Sequence, residues 1–492
     1  MTAATAPVDV LVIGAGISGI GMAYHLKTFR PDTSFAVLEG RNSLGGTWSL
    51  HQYPGIRSDS DMPTFGFGFK PWTHRKSIAD GHIILDYLQQ TVSDNGLAEH
   101  IHVGHHVDSA NFDSQQGLWT VVTTHNGETV TFTSRFLFLG TGYYDYENPY
   151  IPDFPGVEDF KGPVIHPQLW PTDLDYTGKN VVVIGSGATA VTLIPNMADK
   201  AAHVTMLQRS PSYVFSIPAS DPIANVLNKV LGHERAYKIV RRKNITLNRG
   251  LFKMCMRYPK VMRKLLIANV ARQLPKNFDV DTHFTPKYNP WQQRLAMVPD
   301  GDLFKFISAG KASIVTDHID RFTKDGILLQ SGQELAADII VSATGLNMTP
   351  FGKIALSVDG HPLSLPDHTV YKAMMLSGVP NFAFAVGYTN IAWTLKVDLV
   401  CEHFCRMLDY MDQNGYGTVT PILEDGTMER VPLLDMTSGY VQRAVAKFPR
   451  GGTYGPWAFK HAYEMDQERL RNGPIADPAL AFTPAAAPLS VA

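Results

Sequence analysis

Two glycine-rich turns, each set between an apolar β-type run and a helical pattern, constrain this chain more than any other feature. The first lies in VDVLVIGAGISGIGMAYHL, where Gly14, Gly16 and Gly19 follow the apolar run. The second lies in NVVVIGSGATAVTLIP, with Gly185, Gly187 and Ala190 in the corresponding places. A strand that turns this way into a helix is the context a dinucleotide site needs. The first glycine makes the tight turn, the second lets backbone approach a pyrophosphate, and the third lets helix and strand pack closely. The helix N-terminus then faces the phosphates. A bare Gly-x-Gly-x-x-Gly says little, but here the next strand, SFAVLEG, ends at Glu39, twenty positions after Gly19, where a carboxylate binds ribose hydroxyls.

The strand after the second turn, HVTMLQRS, ends instead in Gln208 and Arg209. A carboxylate there would repel a 2′-phosphate, whereas a guanidinium pairs with one bidentately. Arg209 as a simple strand cap is the other reading. The spacing therefore assigns NADPH to the second turn, with Gly185, Ser186, Gly187, Ala188, Thr189, Arg209 and Ser210 as contacts. An adenine dinucleotide without that phosphate falls to the first, on Gly14, Gly16, Gly19 and Glu39. Two nested units of unequal phosphate chemistry suggest a flavoprotein reduced by NADPH. SLGGTW (43–48) adds paired glycines that let backbone approach a flat ring, with Gly46, Thr47 and Trp48 as further contacts. FLFLGTGYY (136–144) and IIVSATGLN (339–347) each read as a strand running into a Thr-Gly turn, where the chain crosses between domains.

At 492 residues the chain exceeds what one hydrophobic core holds. With 44% hydrophobic and 18% charged residues and a net charge of -2, nothing global points to nucleic acid or an acidic partner. Three cysteines make no disulfide framework; Cys401 and Cys405, four apart in a helical stretch, read as buried thiols and not as a metal site. A reducing cytoplasm fits. The N-terminus lacks a basic region and its apolar run is broken by four glycines, so it does not read as a secretion signal. No segment holds eighteen consecutive apolar residues, and no transmembrane helix is expected.

The proline-rich stretch FKGPVIHPQLWP (160–171) leaves little room for a regular element. Phe160, Gly162, His166, Trp170 and Pro171 nevertheless match every fixed position of FxGxxxHxxxW(P/D), placed just before the second turn. In this the chain resembles the Baeyer–Villiger monooxygenases, the class B flavoprotein monooxygenases, over roughly residues 8–465. YPGIRSDSDM, IGSGATAVTL, YNPWQQR and VGYTNIAWTLK look most like the ethionamide-activating branch. The resemblance implies FAD and NADPH as cofactors, and ketones converted to esters or lactones through a C4a-peroxyflavin. Sulfides or thioamides are implied as second substrates. The alternative is an N- or S-oxygenating enzyme of the same fold that uses a C4a-hydroperoxyflavin. By motif, the family's catalytic arginine falls on Arg294 in PWQQRLAMVP, and the aspartate that tunes it on Asp59, which also counts as a cofactor contact. His166 and Trp170 are implied to link domains and cofactor, without proton transfer. Asn390, before a helix whose N-terminus would face the flavin, completes the cofactor contacts, and Trp457 is expected to close the site over NADPH. Two places depart from the family: Ile56 and Ser58 stand where many relatives have Ala and Cys, and HFTPKYNPWQQR replaces a Gly-Cys-Lys-Arg approach.

The expected fold is therefore α/β, two nested Rossmann-like dinucleotide-binding domains with a helical insert. The FAD domain takes 1–146 and 379–475, the NADPH domain 152–212 and 291–378, and the insert 213–290. The Ala/Pro-rich tail 476–492 is expected to be mobile. Between Arg235 and Lys276 stand thirteen Lys or Arg and no Asp or Glu. That bias fits a solvated face balanced by acids elsewhere, steering of NADPH phosphates, or peripheral contact with an anionic membrane.

Overall fold

The apolar run before Gly14 forms β1 (Val8–Ile13), which passes through the glycine turn into α1 (Ile17–Phe29). The computed structural model describes residues 3–4, 6–424, 426–434 and 436–485. In it β1 lies parallel to β2 (Phe35–Glu39), which lies parallel to β3 (Ile101–Val103). A meander of β4 (His106–Asp113), β5 (Leu118–His125) and β6 (Glu128–Leu139) returns the chain so that β6 runs parallel to β1 on its other side. Every residue of β2 is buried, as expected for a parallel strand covered on both faces.

This sheet has ten strands and draws on distant parts of the chain. Phe382–Phe384 pairs with Leu137–Leu139 at the end of β6, which brings the C-terminal third back into the first unit. Ala355–Val358 also joins it, beside β4, and hairpins with His361–Pro362. These residues were expected in the NADPH domain, so the return to the first sheet starts before 379. They carry no glycine signature, and their membership is decided by pairing alone.

The second sheet is entirely parallel, in the order β10 (Ala312–Thr316), β9 (His203–Gln208), β8 (Asn180–Ile184), β11 (Ile339–Ser342), β7 (Val164–Ile165). Helix α2 (Ala188–Met197) leaves the second glycine turn and packs on it. Strand β7 corrects the reading of 160–171 as irregular. Pro163 and Pro167 flank a two-residue edge strand, a place where a missing N–H is tolerated.

The insert is helical, with α3 (Pro222–Leu231), α4 (His233–Arg257) and α5 (Pro259–Ala271). Pro259 lacks an amide proton and opens a new helix after the break at Tyr258. Helix α6 (Thr394–Gln413) packs on α1 and buries Cys401 and Cys405 as free thiols. No helix among the described residues is long and apolar enough to cross a membrane. The tail expectation fails for its first part. Leu480–Pro484 pairs antiparallel with Tyr416–Pro421, and Phe482 stacks on Tyr416 with ring centroids 5.1 Å apart. Alternating apolar residues in LAFTP outweigh the Ala/Pro composition; residues 486–492 lie outside the described residues.

Candidate active site

The two glycine turns are built alike. Gly14 has φ +98°, and a Cβ there would stand 2.9 Å from the Gly140 carbonyl oxygen. Gly185 has φ +139°, and its Cβ would stand 2.3 Å from the Ala343 oxygen. Each turn therefore abuts the end of a crossing strand, β6 in one unit and β11 in the other, where the two Thr-Gly turns begin. A Cβ on Gly19 would lie 1.7 Å from the Gly14 oxygen, so this glycine sets the contact between turn and helix and does not reach the ligand.

The acid and the base that distinguish the two units lie at the ends of corresponding strands, β2 and β9. Glu39, buried at the end of β2, accepts from the amides of Ala15 (2.9 Å) and Arg41 (3.0 Å), which fixes its carboxylate beside the first turn. Gln208 is spent within the fold, donating to the His283 carbonyl and to Thr316 Oγ1. Arg209 beside it is exposed and makes no ion pair among the described residues.

Between the turns lies a cavity of about 1060 Å³. Gly14, Gly16, Glu39, Gly46, Thr47, Trp48 and Asp59 line it from the first unit. The second unit adds Gly185, Ser186, Gly187, Ala188, Thr189, Arg209 and Ser210, and Arg294 joins them. Asn390 does not line the cavity; its amide donates to the His461 carbonyl at 2.8 Å. Trp393, three residues on, lines it instead and donates from Nε1 to Ser18 Oγ at 2.9 Å. Gly387 makes room for that ring, since a Cβ there would come within 2.3 Å of it. Trp457 also lies away from the cavity, buried edge-on against Tyr371.

Arg294 and Asp59 meet on the cavity wall, with Nε 2.8 Å from Oδ2. Asp59 sits on a loop pinned by the two residues just before it. Ser58 exchanges backbone and side-chain hydrogen bonds with Ala79, and Arg57 pairs with Asp302 of the second unit at 2.5 Å. The loop carrying Arg294 is held by Thr437, whose amide and hydroxyl both donate to the Gln292 carbonyl, at 3.0 and 2.9 Å. Removal from water opposes the charge on Arg294. The Asp59 carboxylate outweighs that and raises its pKa above the usual guanidinium value. Burial in turn pushes the phenols of Tyr143, Tyr144 and Tyr440 up, so all stay protonated.

The fingerprint is a clamp. Phe160 is buried in the apolar cluster of the second unit with Val182 and Ile340, and a Cβ at Gly162 would strike the Asp338 carbonyl at 2.3 Å. His166 lines the cavity, accepts at Nδ1 from the Gln168 amide (3.2 Å), and so donates from Nε2 to the Gly345 carbonyl (3.1 Å). Burial lowers its pKa, which keeps the ring neutral. Gln168 then donates to the carbonyls of Asp145 and Tyr146 at the end of the first unit, both at 2.9 Å. Trp170 packs half-buried on the second core and Pro171 is exposed.

Sequence reasoning passed over His51 as well as Trp393. His51 is buried on the cavity wall, and burial, with His166 and Arg41 nearby, pushes its pKa down to about 4. Trp393 lies inside the quoted stretch VGYTNIAWTLK but has no fixed role there, and His51 belongs to no motif.

Known proteins are consistent with this geometry. The pyridine nucleotide-disulphide oxidoreductase family matches residues 11–247. The chain is 50% identical to the FAD-containing monooxygenase EthA of Mycobacterium tuberculosis, over 99% of this chain and 100% of that protein. It is 48% identical to a probable FAD-binding monooxygenase AlmA of an Acinetobacter species, over 96% of each chain. Among solved structures, a steroid monooxygenase bound to NADP superposes with a TM-score of 0.76 at 21% identity, covering 97% of this chain and all of the other. A cyclohexanone monooxygenase in its closed form gives 0.74 at 19% identity, covering 98% of this chain and 100% of that one.

Proposed function

The chain belongs to the FAD-containing flavoprotein monooxygenases, and from that premise we propose that it is an NADPH-dependent Baeyer–Villiger enzyme. Ketone, O2, NADPH and a proton give ester or lactone, water and NADP⁺; sulfides or thioamides are its second substrates. The observation that carries this reading is the Arg294–Asp59 pair on the wall of a cavity that both dinucleotide turns also line.

The residues present fit both cofactors. Glu39 stands at the ribose position beside a turn that leaves room for a pyrophosphate, and Arg209 offers an unpaired guanidinium to a 2′-phosphate. FAD, reduced by NADPH, supplies the activation of oxygen when bound. Every other task falls to the chain. Arg294 keeps its proton and provides a fixed positive charge where the substrate oxygen turns anionic. Asp59 cannot neutralise that charge by taking a proton, so it orients the guanidinium instead. Tyr143, Tyr144 and Tyr440 line the cavity around it and would keep water from it once the cofactors fill that space. His166 has committed its one N–H to Gly345 and acts in positioning.

The test gives the purified protein NADPH and oxygen with an aliphatic 2-ketone or, in a parallel vial, methyl phenyl sulfide, and identifies the products by mass. Ester from the ketone is the expected result. Sulfoxide alone would move the enzyme to the N- or S-oxygenating alternative, and peroxide with neither product would refute the reading.

A further inference from the structure

The helical insert carries an outer face that nothing in the fold covers. Eleven of the eighteen large apolar side chains found exposed among the described residues fall between Ile223 and Leu265. They are not scattered. Val226 and Val230 stand four apart on α3, Val261 and Leu265 four apart on α5, and Leu247 and Met254 seven apart on α4, so each pair shares a helix face. Val230 and Leu247 are 72% and 62% exposed. Single exposed apolar residues need no explanation, but a concentration on three consecutive helices marks an interaction surface.

The charge of the same helices narrows the partner. Of the thirteen Lys or Arg between 235 and 276, four are held by acids of the protein. Arg241 pairs with Asp398, Lys243 with Asp221, and Arg249 and Lys253 with Glu464. The other nine, among them Arg242, Lys260 and Lys264, have no acidic partner among the described residues. The balancing acids that a solvated face would need are therefore absent from most of this surface. Steering of NADPH would use the cations but not the apolar groups. A second copy of the chain seated face to face would set two such fields of unpaired cations against each other.

We propose that the outer face of α3, α4 and α5 docks on an anionic lipid surface, its cations on headgroup phosphates and Val226, Val230, Leu247 and Leu265 in the acyl boundary. An anionic bilayer is the partner that satisfies both halves of the surface. The expectation drawn from 235–276 is thereby extended back to α3, whose basic content is low and whose contribution is apolar. Inward-facing residues of α4 and α5 reach the segment that carries Arg294. Leu266 of α5 packs with Tyr213 against Leu295, next to Arg294, and Phe252 of α4 meets Trp291 edge-on at 5.5 Å. Docking would thus set the loop that carries Arg294 one helix layer from the membrane, whichever substrate the enzyme oxidises.

The experiment is flotation of the full-length, FAD-loaded protein with vesicles of phosphatidylcholine alone or mixed equally with phosphatidylglycerol, at low and high salt. One variant carries Val226→Ser, Val230→Ser, Leu247→Ser and Leu265→Ser; another carries Arg242→Glu, Lys260→Glu and Lys264→Glu. All these side chains lie outside the cavity, and FAD content serves as the control for folding. The wild type is expected to float with the mixed vesicles at low salt, not with the neutral ones, and to be released at high salt. Each cation near a charged bilayer contributes about fivefold to partitioning, so the charge variant, which loses three and adds three acids, should lose at least about a hundredfold. The serine variant should lose at least tenfold. Absence of flotation, flotation indifferent to headgroup charge, or variants that float like the wild type would overturn the proposal. A wild-type dimer that the serine variant turns into monomer, without flotation, would assign the face to a second copy.

Discussion

Replacing Asp59 by Asn tests whether the carboxylate acts through Arg294 or merely holds two loops together. The pair is close, at 2.8 Å, yet the side chains are 35% and 38% exposed to the cavity. An ion pair so hydrated contributes about 0–1 kcal/mol to folding, and in a protein of this size that moves Tm by about 2 °C or less. Asn keeps the shape and one acceptor, so the loop, held independently by Ala79 and Asp302, should not shift. Orientation of the guanidinium is more sensitive, since a displacement of about 1 Å at a reacting centre costs about a hundredfold. The expected result is a near-native Tm, unchanged rate of flavin reduction by NADPH, and ester formation down by about 10- to 100-fold with peroxide released in its place. The same substitution made on an Arg294→Ala background should add nothing further, because the two act as a unit. A large fall in Tm, or an additive loss in the double variant, would refute the argument that Asp59 works through Arg294.

Two other outcomes follow from the geometry. Arg209→Ala should leave the NADH reaction in place but raise KM for NADPH, lowering the preference for NADPH by about 10- to 100-fold, the worth of a charge-assisted hydrogen bond of about 1.5–3 kcal/mol; an unchanged ratio would return Arg209 to the role of strand cap. His51, neutral in the fold with a pKa of about 4 against an ordinary 6.5, takes up its proton more readily when unfolded, so stability is lost as pH falls from about 6.5 towards 4. Across that window the loss is roughly 3 kcal/mol, and urea denaturation of His51→Gln should show a correspondingly shallower decline; an identical slope would refute the assignment.

The parts of this molecule legible in the sequence are those in which local chemistry and local structure coincide. A strand, a turn that only glycine can make and a helix are contiguous, so both nucleotide turns and the contrast between Glu39 and Arg209 could be placed by spacing. The fingerprint could be placed too, but its work could not. That His166 bonds the Gly345 carbonyl while Gln168 holds the end of the first unit depends on residues far along the chain. Asn390 is a polar residue just before a helix start, the usual sign of a ligand contact, whereas Trp393 reaches the cavity because Gly387 clears a space for its ring. Residues 355–362 and 480–484 carry no motif, and only pairing with β4 and with Tyr416–Pro421 assigns them.

The proposed catalytic pair also depends on both units being in place at once. Asp59 belongs to the first unit but its loop is tied by Arg57 to Asp302 of the second. Arg294 lies on a segment anchored from the other direction by Thr437, in the returning C-terminal part. His166 bonds Gly345 within the second unit, and Gln168 beside it ties that unit to Asp145 and Tyr146 at the end of the first. A rotation of one unit against the other would therefore break the Arg57–Asp302 pair and the Gln168 contacts, and so disturb the loop on which Asp59 meets Arg294. On this argument the geometry of the proposed pair depends on how the two units meet at the cavity that both line.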